Sequence, residues 1–323
     1  SCETTCPSGM QYGELVDIGR GLMEQAAPRP LPSRILRRLL RFILCRPRLL
    51  ASGLVVAQSL RPLLPARLRQ TIPLRQIQKA LPAQQHARKM LILEGCVQGV
   101  ATPNTNGAAR RVLDRLGISL IGAPKAGCCG AVNYHLAAHA DGLNNMRRNI
   151  DAWWPHLQNG AEAIISSASG CGAMLVDYGR LLADDPLYAD KAKRVSQLNR
   201  DIAEILMDED LAKLTINTQV GKVAIHSPCT LQHALQKPDL IATLLGRAGF
   251  DIAITTEKLL CCGSAGTYSI LQSTISEKLR AKTLHALEHD QPAVIATANV
   301  GCQLHLQAAA GVPVVHWIEL LDA

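Results

Sequence analysis

Two Cys-Cys-Gly tripeptides, Cys128-Cys129-Gly130 and Cys261-Cys262-Gly263, constrain this chain more than any other feature. Cys96 precedes the first pair by the same interval at which Cys229 precedes the second. Cys171 follows the first pair and Cys302 follows the second, again at nearly matching intervals. The flanks match too: "LEGC" answers "HSPC", "SASGC" answers "ANVGC", and "RLGISL" answers "RAGFDI". Self-similarity at so long a period means two whole domains, not a solenoid of short units. A disulfide between neighbouring cysteines strains the peptide, so each pair places two free sulfurs at one point of the backbone.

Apolar runs alternate with helical stretches through both repeats. In the first, "MLILEG" (90–95) reads as a buried parallel strand. A helix (105–116), a strand (118–122), the Cys-Cys-Gly loop, a long helix (131–158), a strand (161–167) and a helix from about 172 follow. The second repeat reads alike: "KVAIHS", a helix at 237–248, "DIAIT", Cys-Cys-Gly, a helix at 267–289, "AVIAT", a helix, and a last strand "VPVVHW". Such alternation predicts an α/β fold with parallel sheets. In each repeat all four cysteines fall at or just after the end of a strand. Loops at the C-terminal ends of parallel strands meet along one sheet edge, where ligand sites form. Gly130 and Gly263 give the turns the freedom that a side chain would deny.

Four converging thiols are soft ligands, suited to zinc, copper(I) or iron–sulfur clusters. Structural zinc sites use close C-x2–4-C knuckles, and neither repeat has one. Adjacent thiols with partners some distance away in sequence suit a wide polynuclear cluster. A thiol–disulfide role for the same residues stays open. Eleven cysteines in 323 residues, an odd number in a long chain, argue against a secreted disulfide scaffold. Cys45 stands alone and reads as a small buried hydrophobe.

From Arg29 to Lys89 there are fourteen Lys or Arg and no Asp or Glu; the whole chain carries +8, so the rest nets −6. Within that segment "SRILRRLLRFIL" (33–44) sets Arg34, Arg37, Arg38 and Arg41 on one side of a predicted helix capped by Ser33. These four arginines are candidates for docking on an anionic membrane surface or an acidic partner. The most apolar early stretch, "LLASGLVVA" (49–57), is far short of the ~20 residues that span a bilayer. Aromatics make up only 3% of the chain, too few for stacking on nucleic acid, which is excluded as a partner.

Cys96…Cys128-Cys129-Gly130…Cys171 and Cys229…Cys261-Cys262-Gly263…Cys302 resemble the tandem cysteine-rich CCG domains of the heterodisulfide reductase and glycolate oxidase family. The resemblance implies two Rossmann-like domains at 90–220 and 221–323 that hold iron–sulfur clusters of [4Fe–4S] type, some of them noncubane. At the start, "SCETTCPSG" resembles the end of a ferredoxin motif, C-x-x-C-x-x-C-x-x-x-C-P, with Cys2 and Cys6 as its last two cysteines. The expectation is the end of a truncated [4Fe–4S] ferredoxin domain at 1–26, joined by a basic helical connector (27–89), in a chain that begins inside a longer protein.

The family likeness implies an electron-transfer subunit of a flavin-dependent 2-hydroxy acid (glycolate) dehydrogenase. Flavin and substrate oxidation sit on a partner subunit, and electrons pass toward quinone or another membrane acceptor. The expected location is cytoplasmic, including the inner face of the cytoplasmic membrane. A cluster-based heterodisulfide reductase and a zinc-stabilised interaction module are the alternatives. The family pattern ends C-x-x-C, and here its last position is Met174 or His305. His305 is therefore an additional candidate ligand, and each site has at most four thiolates, one fewer than a noncubane cluster uses.

Overall fold

The structure, a computed structural model, describes residues 2–257 and 260–322, with the backbone alone for Cys2, Thr5 and Arg67. Its frame is two parallel sheets. In the first, β1 (Arg88–Leu93), β2 (Ile118–Gly122), β3 (Ile164–Ser166) and β4 (Asn199–Asp201) run in the order β2-β1-β3-β4. In the second, β5 (Val223–His226), β6 (Val294–Thr297) and β7 (Val314–His316) run in the order β5-β6-β7. Ile252 bridges to Val223 at the place that β2 takes beside β1, so the two sheets share one strand order. The expected strand "DIAIT" is reduced to that single bridge.

Side-chain alternation explains how the sheets pack. Met90 and Ile92 of β1 point into one core and Leu91 and Leu93 into another, as period-two geometry requires. Val223, Val294 and Ala296 of the second sheet join Met90 and Ile92. That central core is therefore shared by both repeats and closed by Val112, Leu113, Leu244 and Trp317 from flanking helices. Each outer face has a smaller core of its own, one holding Cys129 and the other Cys262 and Cys302. The second cysteine of each pair thus anchors its loop to the outer face of its sheet.

Three expectations are corrected. The helix at 131–158 is two, Ala131–His135 and His139–Gln158, because Ala137 takes φ 60° and ends the first one. The helix at 267–289 is likewise divided, into Tyr268–Leu271 and Ser273–Leu287. Ser33 is not a cap: the helix Leu31–Leu44 starts on Pro30, with Pro32 in its first turn, where a missing N–H costs nothing.

Before the sheets come the helices Tyr12–Ala26, Leu31–Leu44 and Pro47–Leu60. They lean on the first repeat through Asp17 and His135 (3.0 Å), Arg41 and Asn133 (3.1 Å), and an Arg41–Asp141 ion pair. Among the described residues no helix is long and apolar enough to cross a membrane.

Candidate metal centres

In the first repeat, Cys96 follows β1, Cys128 and Cys129 follow β2, and Cys171 lies in the first turn of the Ser169–Leu181 helix after β3. Three loops bring the thiols together. The thiols of Cys129, Cys45 and Cys96 act on that of Cys128, and the thiol of Cys171 on that of Cys129. The loop is fastened from behind. Asn149 Nδ2 donates to the Cys128 carbonyl at 2.9 Å, and the buried Tyr178 hydroxyl donates to the Cys129 carbonyl at 2.8 Å. The Gly130 N–H lies 3.5 Å from Cys128 Sγ. Neighbouring thiols donate to Cys128, Cys129 foremost, and hold it well below the ordinary thiol value against the opposing effect of burial. Cys96 and Cys129 are pushed up in turn, by their contact with Cys128 and by burial.

The second repeat builds a similar nest. The thiols pair as Cys229 with Cys261 and Cys262 with Cys302. Gly263 N–H lies 3.4 Å from Cys261 Sγ, and Thr283 Oγ1 donates to the Cys261 carbonyl at 3.1 Å. The Cys229 thiol lowers Cys261 to about 6, and the Cys302 thiol, with help from His226, lowers Cys262 to about 4. His226 ends β5. Its Nδ1 meets Thr297 Oγ1 at 2.9 Å, while its buried Nε2 has no hydrogen-bond partner among the described residues. One ligand atom each of His226, Cys262 and Cys302 lies within 4.8 Å of the others. An orphaned imidazole nitrogen beside thiols prone to ionise is a donor set that suits a soft metal centre, where the metal replaces protons.

The profile of the cysteine-rich domain family, CCG, matches residues 90–176 and again 223–307. This chain belongs to the cysteine-rich CCG domain family. It is 49% identical over 323 residues to the "Glycolate oxidase iron-sulfur subunit" of Escherichia coli (strain K12), covering all of this chain and 79% of that one. It is 26% identical over 338 residues to the "Probable glycolate oxidase iron-sulfur subunit" of Bacillus subtilis (strain 168), covering 95% and 75% of the two chains. A third relative, "Lactate utilization protein A" of Bacillus licheniformis, is 26% identical over 245 residues, 73% of this chain and 99% of that one.

The remaining candidate residues fall in varied places around the two CCG sites. His305 turns its Nε2 to Ser276 Oγ at 3.0 Å, and burial keeps it below the ordinary histidine value. Met174 is 2% exposed and packs with Cys129 and Leu175. Cys6 Sγ lies 3.1 Å from Ser8 Oγ, while the side chain of Cys2 lies outside the described residues. Of the four arginines, Arg34 and Arg38 are exposed, Arg37 is half-buried, and Arg41 is spent on Asn133 and Asp141.

Cys45, read as a small buried hydrophobe, is partly buried. One candidate donor escaped the sequence reading. It is His226, whose place shortly before Cys229, at the end of a strand, was a usable signal.

Proposed function

We propose that this chain is the iron–sulfur electron-transfer subunit of a flavin-dependent 2-hydroxy acid dehydrogenase, with glycolate as the substrate. The observation that carries this reading is the 49% identity, over the whole chain, to a glycolate oxidase iron–sulfur subunit. Two buried thiol sets on parallel-sheet edges supply what such a subunit needs. In this reading Cys96, Cys128, Cys129 and Cys171 hold one cluster, and Cys229, Cys261, Cys262 and Cys302 hold the other, both of [4Fe–4S] type. The bound clusters supply reversible one-electron chemistry. The protein keeps the sulfurs converged, and backbone N–H groups of Gly130 and Gly263 face the thiolate charge.

We divide the chain into the end of a ferredoxin domain (1–26), a basic connector (27–89) and two Rossmann-like CCG domains (90–220 and 221–323). The shared strand order of the two sheets supports their origin by duplication. Cys2 and Cys6 are counted among the iron–sulfur ligands in this reading. A partner subunit carries the flavin and oxidises the 2-hydroxy acid, and electrons leave toward quinone. The connector is the docking element, on the partner or at the cytoplasmic membrane face. Leu31, Ile35, Leu36, Leu39 and Phe42 stand exposed on the helix Leu31–Leu44, next to Arg34 and Arg38. A row of that size is ordinarily covered.

Iron and acid-labile sulfide analysis of anaerobically purified protein, with EPR, tests the reading. We expect iron and sulfide in near-equal amounts and two separable cluster signals. We also expect His226→Ala to change the signal of the second repeat and leave that of the first. Zinc without sulfide would overturn it in favour of an interaction module.

A further inference from the structure

We propose that Asn299 is a positioning residue for both metal centres. Its amide donates to the Cys302 sulfur of the second and holds the turn that carries Cys171 of the first, which sets the two centres back to back across one joint. The proposal rests on the reading that both centres are iron–sulfur clusters.

Asn299 immediately precedes the helix Val300–Gln307, whose first turn carries Cys302. An asparagine in this place ordinarily caps its own helix, the side-chain oxygen accepting from the second or third N–H. Here the side chain makes no such bond. Its Oδ1 accepts instead from the Gly170 N–H at 3.3 Å, and its Nδ2 donates to Cys302 Sγ at 3.5 Å. The chemistry of the partners fixes the amide: a backbone N–H only donates, so the oxygen faces Gly170 and the nitrogen is left for the sulfur. One side chain thus spans from the turn before Cys171 to the sulfur of Cys302, at the expense of its own helix.

The turns on either side leave room for it. Gly170 and Gly301 each stand directly before a cysteine. A Cβ at Gly170 would crowd Asn299 Oδ1 at 3.2 Å, and one at Gly301 would meet Asn299 Nδ2 at 3.4 Å. Further bonds close the same joint. The Ser169 N–H donates to the Ala298 carbonyl at 3.0 Å, and Ser169 Oγ meets Thr230 Oγ1 at 2.7 Å. Thr230 follows Cys229 and Ser169 stands just before Gly170 and Cys171, so cysteine-bearing turns of the two repeats touch directly.

The repeats differ at this point. Ala168 holds in the first repeat the place that Asn299 holds in the second, and it has no side-chain donor. A hydrogen bond to a cluster sulfur favours the more negative, reduced state and so raises the potential. Asn299 therefore raises the potential of the second centre and not that of the first.

The test uses the full chain, purified anaerobically, reconstituted with iron and sulfide, and titrated with reductant under EPR. The signal of the second centre is the one that Cys302→Ser alters. Asn299→Ala should lower the midpoint potential of the second centre and leave that of the first in place. Asn299→Asp keeps an acceptor for the Gly170 N–H but cannot donate to the sulfur, and should lower the second potential at least as far. Ser169→Ala breaks the bond to Thr230 without removing a sulfur partner, and should leave both potentials where they are. A measurement on the unaltered protein guards against misfolded variants: with both centres reduced, their signals should carry the splitting or broadening of two interacting spins, absent when one centre alone is reduced. An unchanged second potential in both Asn299 variants, an equal shift in Ser169→Ala, or two non-interacting signals in the fully reduced wild type overturns the proposal. A wild-type chain that takes up zinc without sulfide overturns the iron–sulfur reading itself, and the proposal with it.

Discussion

Gly130 and Gly263 show how little room the Cys-Cys turn leaves. Their φ angles are 95° and 85°, in the left-handed region that side chains disfavour. A Cβ at Gly263 would lie 2.5 Å from the Ser276 carbonyl oxygen, and one at Gly130 would lie 2.9 Å from that of Gly142. The obstacle in both cases is backbone, which cannot swing aside. We expect Gly263→Ala to destabilise the chain by about 3 kcal/mol, the left-handed cost plus the clash, and to loosen the Cys261–Cys262 turn. Gly160 also has a positive φ, 85°, but open space around it. Gly160→Ala should therefore cost only about 1 kcal/mol, the conformational part alone. Denaturant unfolding of both variants checks the difference, and equal losses would refute the steric account.

At the scale of elements, the joint between the repeats turns on β7 and the short helix Trp317–Leu320 that follows it. His316 is fully buried there. Its Nε2 donates to the Ser167 carbonyl at 2.7 Å, and its Nδ1 accepts from the Ile318 N–H at 3.3 Å. Both bonds together need the neutral ring. Burial lowers His316 to about 4, while an unfolded histidine titrates near 6.5. Between these values the unfolded chain binds a proton that the folded chain refuses. His316 therefore contributes stability that is complete above pH ~6.5 and is lost as pH falls toward 4, roughly 3 kcal/mol in all. His316→Gln should be less stable than wild type at pH 7.5, and the gap should narrow by pH 4.5. Denaturation midpoints at the two pH values decide; a constant gap would contradict the assignment. The strand preceding this helix was plain in the sequence. The proton-free histidine was not, because nothing local says that Ser167 lies opposite.

Across the whole molecule, Asp322 ties the last residues of the second repeat to the first. It is 8% exposed and pairs with Arg111 at 2.7 Å, Arg115 at 2.6 Å and Lys79 at 3.9 Å. Connector, first repeat and second repeat thus meet at one carboxylate, beside the core that both sheets share. Removing one partner of a buried network leaves the others unpaired, which costs more than the pair itself contributes. We expect Asp322→Ala to cost about 3 kcal/mol. Arg88→Ala, whose pairs with Glu162 and Glu209 lie nearer solvent, should cost about 1 kcal/mol or less. Thermal unfolding of the two variants compares them. A loss at Asp322 no larger than that at Arg88 would refute the account of Asp322 as a buried tie between the repeats.

Local sequence determined much of this protein. Apolar runs and breakers set where β1, β2, β3, β5, β6 and β7 lie, and therefore where the eight repeat cysteines fall, just beyond strand ends on one edge of each sheet. Such signals are short-range: a buried strand is legible from its own apolar run, and a turn from a glycine after two cysteines. β4, a short strand at Asn199–Asp201, carried no apolar run and went unread. The helix breaks at Ala137 and Gln272 went unread too, since neither residue marks a turn by composition. Tertiary structure alone decided which imidazole stands beside the cysteines: His226 has a ligand atom within 4.8 Å of those of Cys262 and Cys302, while His305 bonds Ser276. That choice depends on how each side chain is directed, which packing between distant segments sets.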